Sequence, residues 1–111
     1  KLGDKNPSYA TSLNNLAQLY RSMGKYEQAE ELQKKAMDIR KEVLGAEHPD
    51  YANSLHNQGV LKMLKGRYNQ AEKDLMEALF TRKKILGEFH PDYSQTLSAL
   101  ANLYMITKEY A

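Results

Sequence analysis

The sequence predicts an all-α solenoid built from antiparallel helix pairs, with five main helices. The first observation is a repeat, because prolines recur at positions 7, 49 and 91, always 42 residues apart. The second is that residues 3–44 align on residues 45–86 without a gap and with 17 identities. The third is that apolar residues follow the spacing of a helix face, and no comparable stretch alternates as a strand does. A fixed period of about 20 to 50 residues is typical of solenoids, whose units bury apolar surface only against their neighbours.

The first helix of each unit is predicted to begin at a proline and to end at a glycine. Pro7, Pro49 and Pro91 suit a first helical turn, because the proline ring fixes φ and the missing N–H is not needed there. Gly24 and Gly66 are placed to end the helix. In the first unit the apolar face of this helix is predicted to comprise Tyr9, Leu13, Leu16, Ala17, Tyr20 and Met23.

The second helix of each unit is predicted to follow after a tight turn and to end at Gly45 or Gly87. In the first unit its apolar residues are Tyr26, Ala29, Leu32, Ala36, Ile39 and Val43. Basic residues occupy its last turns, where they oppose the helix dipole and are predicted to solvate the outer face rather than to bind phosphates. These residues are Arg40, Lys41, Arg82, Lys83 and Lys84.

The 111 residues hold two whole helix pairs and one unpaired first helix. We therefore predict a single array fragment spanning residues 1–111, with repeat 1 at about 7–44, repeat 2 at about 49–86 and a partial repeat 3 at about 91–111. The opening Leu2-Gly3 matches Leu86-Gly87, which indicates the tail of an earlier repeat. The last helix is then expected to present an uncovered apolar stripe and to self-associate through it. This stripe comprises Leu97, Leu100, Leu103 and Tyr104.

The middle repeat departs from its neighbours at two apolar positions. Gln58 stands where the other repeats have Leu16 and Leu100, and Lys62 stands where repeat 1 has Tyr20. We therefore expect the middle repeat to be packed more loosely than the others.

The pattern of apolar and small residues in the first unit resembles the tetratricopeptide repeat. It is carried by Leu13, Leu16, Ala17, Tyr20, Gly24, Tyr26, Ala29, Glu30 and Ala36. The usual period of that repeat is about 34 residues, whereas the 42-residue period and the joint Leu-Gly-x-x-His-Pro-Asp-Tyr are similar to the variety found in kinesin light chains and nephrocystin-like proteins. The resemblance implies a right-handed superhelix whose first helices line the concave side, and a function in protein binding.

Composition argues against several other classes of protein. The net charge of +2 is too small and too mixed to indicate a nucleic-acid partner, and charged residues, at 27%, interrupt every apolar run that could span a membrane. The sequence contains no cysteine, which excludes disulfides and cysteine-based metal sites, and it does not open with the pattern of a secretion signal. A cytoplasmic protein is the expectation.

No constellation of residues predicts an enzyme, a metal site or a cofactor. The three histidines are His48, His56 and His90, and the first and last of these occupy the same repeat position. The recurring His-Pro-Asp triplet is therefore explained by the geometry of the joint. No glycine-rich phosphate loop, nucleophile elbow or His-Glu-x-x-His motif occurs.

The remaining candidate is a groove along the concave side, lined by polar side chains of the first helices. Asparagine and glutamine can each donate to and accept from the backbone of an extended peptide, whatever its side chains. The predicted peptide-binding residues are Asn14, Asn15, Gln18, Arg21, Asn53, His56, Asn57, Val60, Met63, Gln95, Ser98 and Asn102.

Some tetratricopeptide repeat proteins bind the carboxyl terminus of a partner with a clamp of lysines and an arginine. This sequence lacks those cations at the matching positions, so binding of a carboxyl terminus is disfavoured. The leading hypothesis is a scaffold that binds an extended partner peptide. The alternative is a structural or self-assembling module that associates through its last helix. Ligand sensing within a larger receptor is a third possibility that the sequence leaves open.

Overall fold

The structure, a computed structural model, describes residues 6–110 of the chain, with side chains described for residues 6–108. This part contains five α-helices and no strand, so the predicted all-α fold of helix pairs is confirmed. The helices are α1 (Pro7–Ser22), α2 (Tyr26–Leu44), α3 (Pro49–Leu64), α4 (Tyr68–Leu86) and α5 (Pro91–Tyr110). The tail of an earlier repeat that the sequence predicts at residues 1–3 lies outside the described residues.

The first helices α1, α3 and α5 begin with a side-chain cap at the same repeat position. The Asn6 side chain accepts a hydrogen bond from the Ser8 amide at 2.7 Å. His48 and His90 do the same through Nδ1, which accepts at 3.0 Å from the amide two residues later. Each cap satisfies one of the N–H groups that a helix start leaves without a partner. The recurring histidine is thus a capping residue, which explains why asparagine can replace it.

The turns within the pairs need glycine because their backbone is left-handed. Gly24 and Gly66 have φ of 80° and 81°, which residues with a Cβ adopt only under strain. Their placement just after α1 and α3 lets α2 and α4 fold back after only a few residues.

Helices pack first within a repeat and then against the next repeat, giving a body of 47 × 33 × 19 Å. The α3–α4 pair approaches most closely at Gly59, where an added Cβ would lie 2.7 Å from Leu75 Cγ. A cluster on α4 and α5 continues the core into the third repeat. It consists of Ala71, Leu75, Leu79, Ala99, Leu100 and Leu103.

Among the first helices, α3 has two buried faces, one toward its own second helix α4 and one toward α2 of the preceding repeat, whereas α1 packs on α2 and α5 packs on α4. Leu16, predicted to lie in the core, faces the preceding-repeat side of α1 and is 40% exposed. The equivalent Leu100 of α5 is covered by α4 and is 4% exposed, and Leu103 is 1% exposed. The predicted exposure of Leu100 and Leu103 is therefore wrong, whereas Leu97 and Tyr104 are 44% and 47% exposed.

The middle repeat replaces an apolar contact with a polar one. Repeat 1 has leucine at position 32, and the equivalent residue of repeat 2 is Asp74. Lys62 Nζ lies 3.0 Å from Asp74 Oδ2, although the angle is poor for a hydrogen bond. Gln58 is buried and its Oε1 has no hydrogen-bond partner. The polar residues that distinguish this repeat thus pair in part with one another.

Candidate interaction surface

The predicted groove residues separate into three classes of exposure. Those that are exposed are Asn15, Gln18, Gln95, Ser98 and Asn102. Those that are half-buried are Arg21, Asn53, Val60 and Met63. Those that are buried are Asn14, His56 and Asn57. The structure therefore leaves nine of the twelve predicted side chains at least partly accessible on the first helices.

Asn14 and Asn57 lie between repeats 1 and 2 rather than in solvent. Asn57 Nδ2 donates to Asn14 Oδ1 at 3.2 Å and to Asn53 Oδ1 at 3.2 Å. Asn14 is 5% exposed and Asn57 is 8% exposed. The exposure predicted for these two asparagines is wrong, because the first helices of neighbouring repeats approach each other on this side.

His56 is also buried, against α5 and not in the groove. It is 4% exposed, and its Nδ1 lies 3.1 Å from Thr96 Oγ1. Burial lowers the pKa of His56 to about 4, and the positive charges of Arg82 and Arg21 contribute in the same direction. The neutral ring hydrogen-bonds with the Thr96 hydroxyl through Nδ1 and belongs to the packing between repeats 2 and 3.

Two buried arginines join each second helix to the next repeat. Arg40 of α2 is 5% exposed, and its Nη1 donates to the Asp50 carbonyl at 3.2 Å and to Ser54 Oγ at 3.0 Å. Its Nη2 reaches back to Thr11 Oγ1 of α1 at 3.4 Å. One guanidinium therefore holds α1, α2 and α3 together.

Arg82 repeats this arrangement one unit later. It is 1% exposed, and its Nη1 donates to the Asp92 carbonyl at 3.0 Å, to Gln95 Oε1 at 3.0 Å and to Thr96 Oγ1 at 2.9 Å. Arg82 Nε is buried without a hydrogen-bond partner. Burial lowers the pKa of both arginines, and the nearby Asp50 and Asp92 oppose that effect.

The prediction that Arg40 and Arg82 solvate the outer face is therefore wrong. Burial of Arg40 could have been predicted from its position, because Ala29, Ala36 and Arg40 share the helical spacing of the buried side of α2. Arginine can lie on a buried face when oxygen acceptors satisfy most of its donors. Here most of the acceptors belong to the first helix of the next repeat.

A shallow cleft opens between repeats 1 and 2 next to this polar layer. It is lined by Ala17, Gln18, Arg21, Ala29, Gln33, Asn57 and Leu61. Gln33 is buried and donates through Nε2 to the Ser54 carbonyl at 3.4 Å, which leaves its carbonyl oxygen toward the cleft region. The cleft therefore combines small apolar walls with amide and guanidinium groups.

The charges near the ends of the helices are largely paired with one another. Lys65 Nζ lies 3.0 Å from Glu27 Oε2 and also binds Glu30, and these two carboxylates raise the pKa of the lysine. Lys84 Nζ pairs with Glu47 across the two joints at 2.5 Å. Such pairs at the surface contribute little to stability.

The described residues supply neither a metal-binding cluster nor a membrane span. No group of three or more histidine, cysteine, aspartate or glutamate side chains within that part of the chain is arranged to hold a metal ion. None of its helices combines the length and the apolar composition that crossing a bilayer requires.

Comparison with known proteins identifies the repeat. A family model for the tetratricopeptide repeat matches residues 8–79. The crystal structure of BtubC (BKLC) from P. vanneervenii superposes with a TM-score of 0.87 at 27% sequence identity, covering 96% of this chain and 43% of that one. No curated protein matches the chain.

A second solved structure comes from Podospora anserina and is described as a kinesin light chain with nearly identical TPR-like repeats. It has a TM-score of 0.82 and 27% identity, and the match covers 90% of this chain and 47% of that one. A single-substitution variant of it has a TM-score of 0.84 and 28% identity, with 94% and 49% covered. The chain thus spans less than half the length of the solved structures it matches. The chain belongs to the tetratricopeptide repeat family, and its repeats are similar to those of kinesin light chains.

Proposed function

We propose that this chain is a non-enzymatic binding module that holds an extended partner peptide along the concave side, on the first helices α1, α3 and α5. Repeats of this family generally mediate protein–protein interaction, and stacked repeats create long concave surfaces for it. The observation that carries the proposal is the set of accessible amide side chains on the first helices, Gln18 on α1 and Gln95 and Asn102 on α5.

The accessible side chains suit an extended peptide rather than a compact ligand. Gln18 on repeat 1 and Gln95 and Asn102 on repeat 3 are exposed amides, and none has a hydrogen-bond partner through its free N–H₂ within the described residues. An amide that is not already paired can bind a peptide carbonyl or amide group without selecting a side chain. Recognition along the backbone is therefore available on α1 and on α5.

Apolar contact is available beside these amides. Val60 and Met63 are half-buried on α3, and Met105 on α5 is 70% exposed. Methionine adapts its shape to different partners at low cost. We propose that these side chains receive the apolar residues of the partner while the amides bind its backbone.

The experiment is a selection of random 12-residue peptides on the immobilised protein, followed by fluorescence-polarisation titration of the enriched peptides. The double variant Gln18→Ala and Asn102→Ala should weaken binding about tenfold, because two hydrogen bonds of about 0.5–1.5 kcal/mol each are lost. Asn69→Ala on α4 is the matched control, since Asn69 is exposed and is not one of the first-helix residues. Equal affinities of the double variant and the control, or a failure to enrich any peptide, would exclude the proposal.

A second candidate is self-association through α5. Leu97 and Tyr104 lie two turns apart on one face and remain 44% and 47% exposed, although the Tyr104 hydroxyl donates to Glu72 Oε2 at 2.6 Å. Sedimentation velocity at increasing protein concentration would detect a dimer, and Leu97→Glu should abolish it. A monomer at all concentrations would rule out self-association through α5 but would leave the peptide-binding proposal unaffected.

A further inference from the structure

Two amide side chains on the concave side are each held from behind by a buried arginine. Arg82 Nη1 donates to Gln95 Oε1 at 3.0 Å. One repeat earlier, Arg40 Nη1 donates to Asn53 Oδ1 at 3.4 Å, and Asn57 Nδ2 donates to the same oxygen at 3.2 Å. Gln95 and Asn53 occupy the same repeat position, 42 residues apart.

This contact decides which way each amide faces. A guanidinium carries only donors, so only the oxygen of the amide can be turned toward it. The N–H₂ group of Gln95 and of Asn53 must then point away from the arginine. Gln95 is exposed and Asn53 is half-buried, and neither N–H₂ group has an acceptor within the part of the chain that the structure describes.

We propose that Arg40 and Arg82 are positioning residues that set the hydrogen-bond polarity of the concave surface. Each fixes one amide with its N–H₂ group outward, so that repeats 2 and 3 each present one oriented donor, and these donors bind carbonyl oxygens of an extended peptide. This proposal rests on the proposed function and adds the chemistry of the partner group.

The arginines act only through the amides. At 5% and 1% exposure, Arg40 and Arg82 cannot themselves reach a peptide. An amide without such an anchor can turn over and present either its oxygen or its N–H₂ group, which costs conformational entropy on binding. Orientation before binding removes part of that cost.

The orientation can be tested without any ligand by a double-mutant cycle between Arg82 and Gln95. Gln95→Glu places a carboxylate against Arg82 and should raise the thermal midpoint by about 4 °C, since a favourable pair contributes up to about 1 kcal/mol. In an Arg82→Gln background the same change should give no increase. If Gln95→Glu lowers the midpoint equally in both backgrounds, the arginine does not face the amide oxygen and the proposal is overturned. If Arg82→Gln does not fold, the same cycle is measured with Arg40→Gln and Asn53→Asp.

The consequence for binding uses 12-residue peptides selected on the wild-type protein. Gln95→Glu keeps the contact to Arg82 but replaces the outward donor with a carboxylate oxygen, so affinity should fall at least about tenfold. Asn69→Asp, which adds the same charge on α4, should change affinity less than about twofold. Unchanged or tighter binding by Gln95→Glu would refute the donor role.

Comparing peptides with and without acidic residues shows whether the bound oxygen atoms belong to backbone carbonyls or to side-chain carboxylates of the peptide. If peptides without acidic residues lose as much affinity to Gln95→Glu as acidic peptides do, the bound oxygens are backbone carbonyls, as proposed. A loss confined to acidic peptides assigns the donors to side-chain carboxylates and overturns the choice of backbone carbonyls. If no peptide is enriched at all, the proposed function fails, while the double-mutant cycle still decides whether the arginines orient the amides.

Discussion

Acid should weaken the contact between repeats 2 and 3 through His56. The ring is 4% exposed, and its Nδ1 lies 3.1 Å from Thr96 Oγ1, which also accepts from Arg82. A proton on His56 would place two positive groups around one hydroxyl in a buried site. The informative perturbation is His56→Asn, because asparagine is the equivalent residue of repeat 1, where it is also buried.

The magnitude follows from the difference between the native and unfolded pKa values. Burial lowers the native pKa of His56 to about 4, whereas an unfolded histidine titrates near 6.5. The native state therefore takes up this proton later than the unfolded state does as the pH falls. Stability is lost from about pH 6.5 downward, at up to about 1.4 kcal/mol per pH unit, and the loss levels off below about pH 4. Between pH 7.5 and pH 4.5 His56 should account for about 2 to 3 kcal/mol.

The assay is urea denaturation followed by far-ultraviolet circular dichroism, on wild type and His56→Asn, at several pH values between 7.5 and 4.5. The difference between the two free energies of unfolding isolates His56, because every other ionisable group is the same in both proteins. The variant should be less sensitive to acid than the wild type, whatever its stability at pH 7.5. Parallel curves would refute the reasoning, since they would mean that the protonated ring is accommodated in the native state.

Three further substitutions test the packing. Gly59→Ala should lower the free energy of unfolding by about 1–3 kcal/mol, because the new Cβ would lie 2.7 Å from Leu75 Cγ; urea titration measures the loss. Asp74→Leu alone should destabilise by about 1–2 kcal/mol by leaving half-buried Lys62 unpaired, whereas Asp74→Leu with Lys62→Tyr restores the residue types of repeat 1 and should raise the thermal midpoint above wild type. His90→Ala should cost about 1 kcal/mol by removing the cap of α5, and His90→Asn should retain most of that stability.

Each of these has a contradicting result. A neutral Gly59→Ala would show that α3 and α4 can separate without cost. A double substitution at positions 62 and 74 less stable than Asp74→Leu alone would show that the site does not accept an apolar pair. Equal losses from His90→Ala and His90→Asn would remove the capping interpretation.

Most of the helix framework could be predicted from the sequence because its determinants are local. The prolines and the residues before them define the helix starts, and a glycine with positive φ is needed just after α1 and α3. Such signals act within a few residues of the chain and are repeated every 42 residues. The helix pairs follow from them without knowledge of the packing.

The same approach failed for side chains whose environment depends on the neighbouring repeat. Arg40 and Arg82 were placed outside on charge alone, and they are buried because the next repeat provides oxygen acceptors. The sequence predicts an exposed Leu100 because α5 has no paired second helix, and an exposed Asn57 because it lies opposite the apolar stripe of α3; α4 covers the first, and the second pairs with Asn14 of α1. The repeat alignment held a partial signal, since both arginines recur at one position, but it does not say what lies opposite them.

The sequence by itself therefore determined the period, the five helices and their caps, and the family to which the repeat belongs. Only the tertiary structure decided which polar side chains of the first helices remain open to a partner. The physical reason is that the environment of a first helix depends on two interfaces, one with its own second helix and one with the preceding repeat; α3 has both, whereas α1 packs on α2 and α5 packs on α4. The spacing of apolar residues along a helix does not separate the residues of one interface from those of the other. The exposed face consists of the residues that neither interface covers.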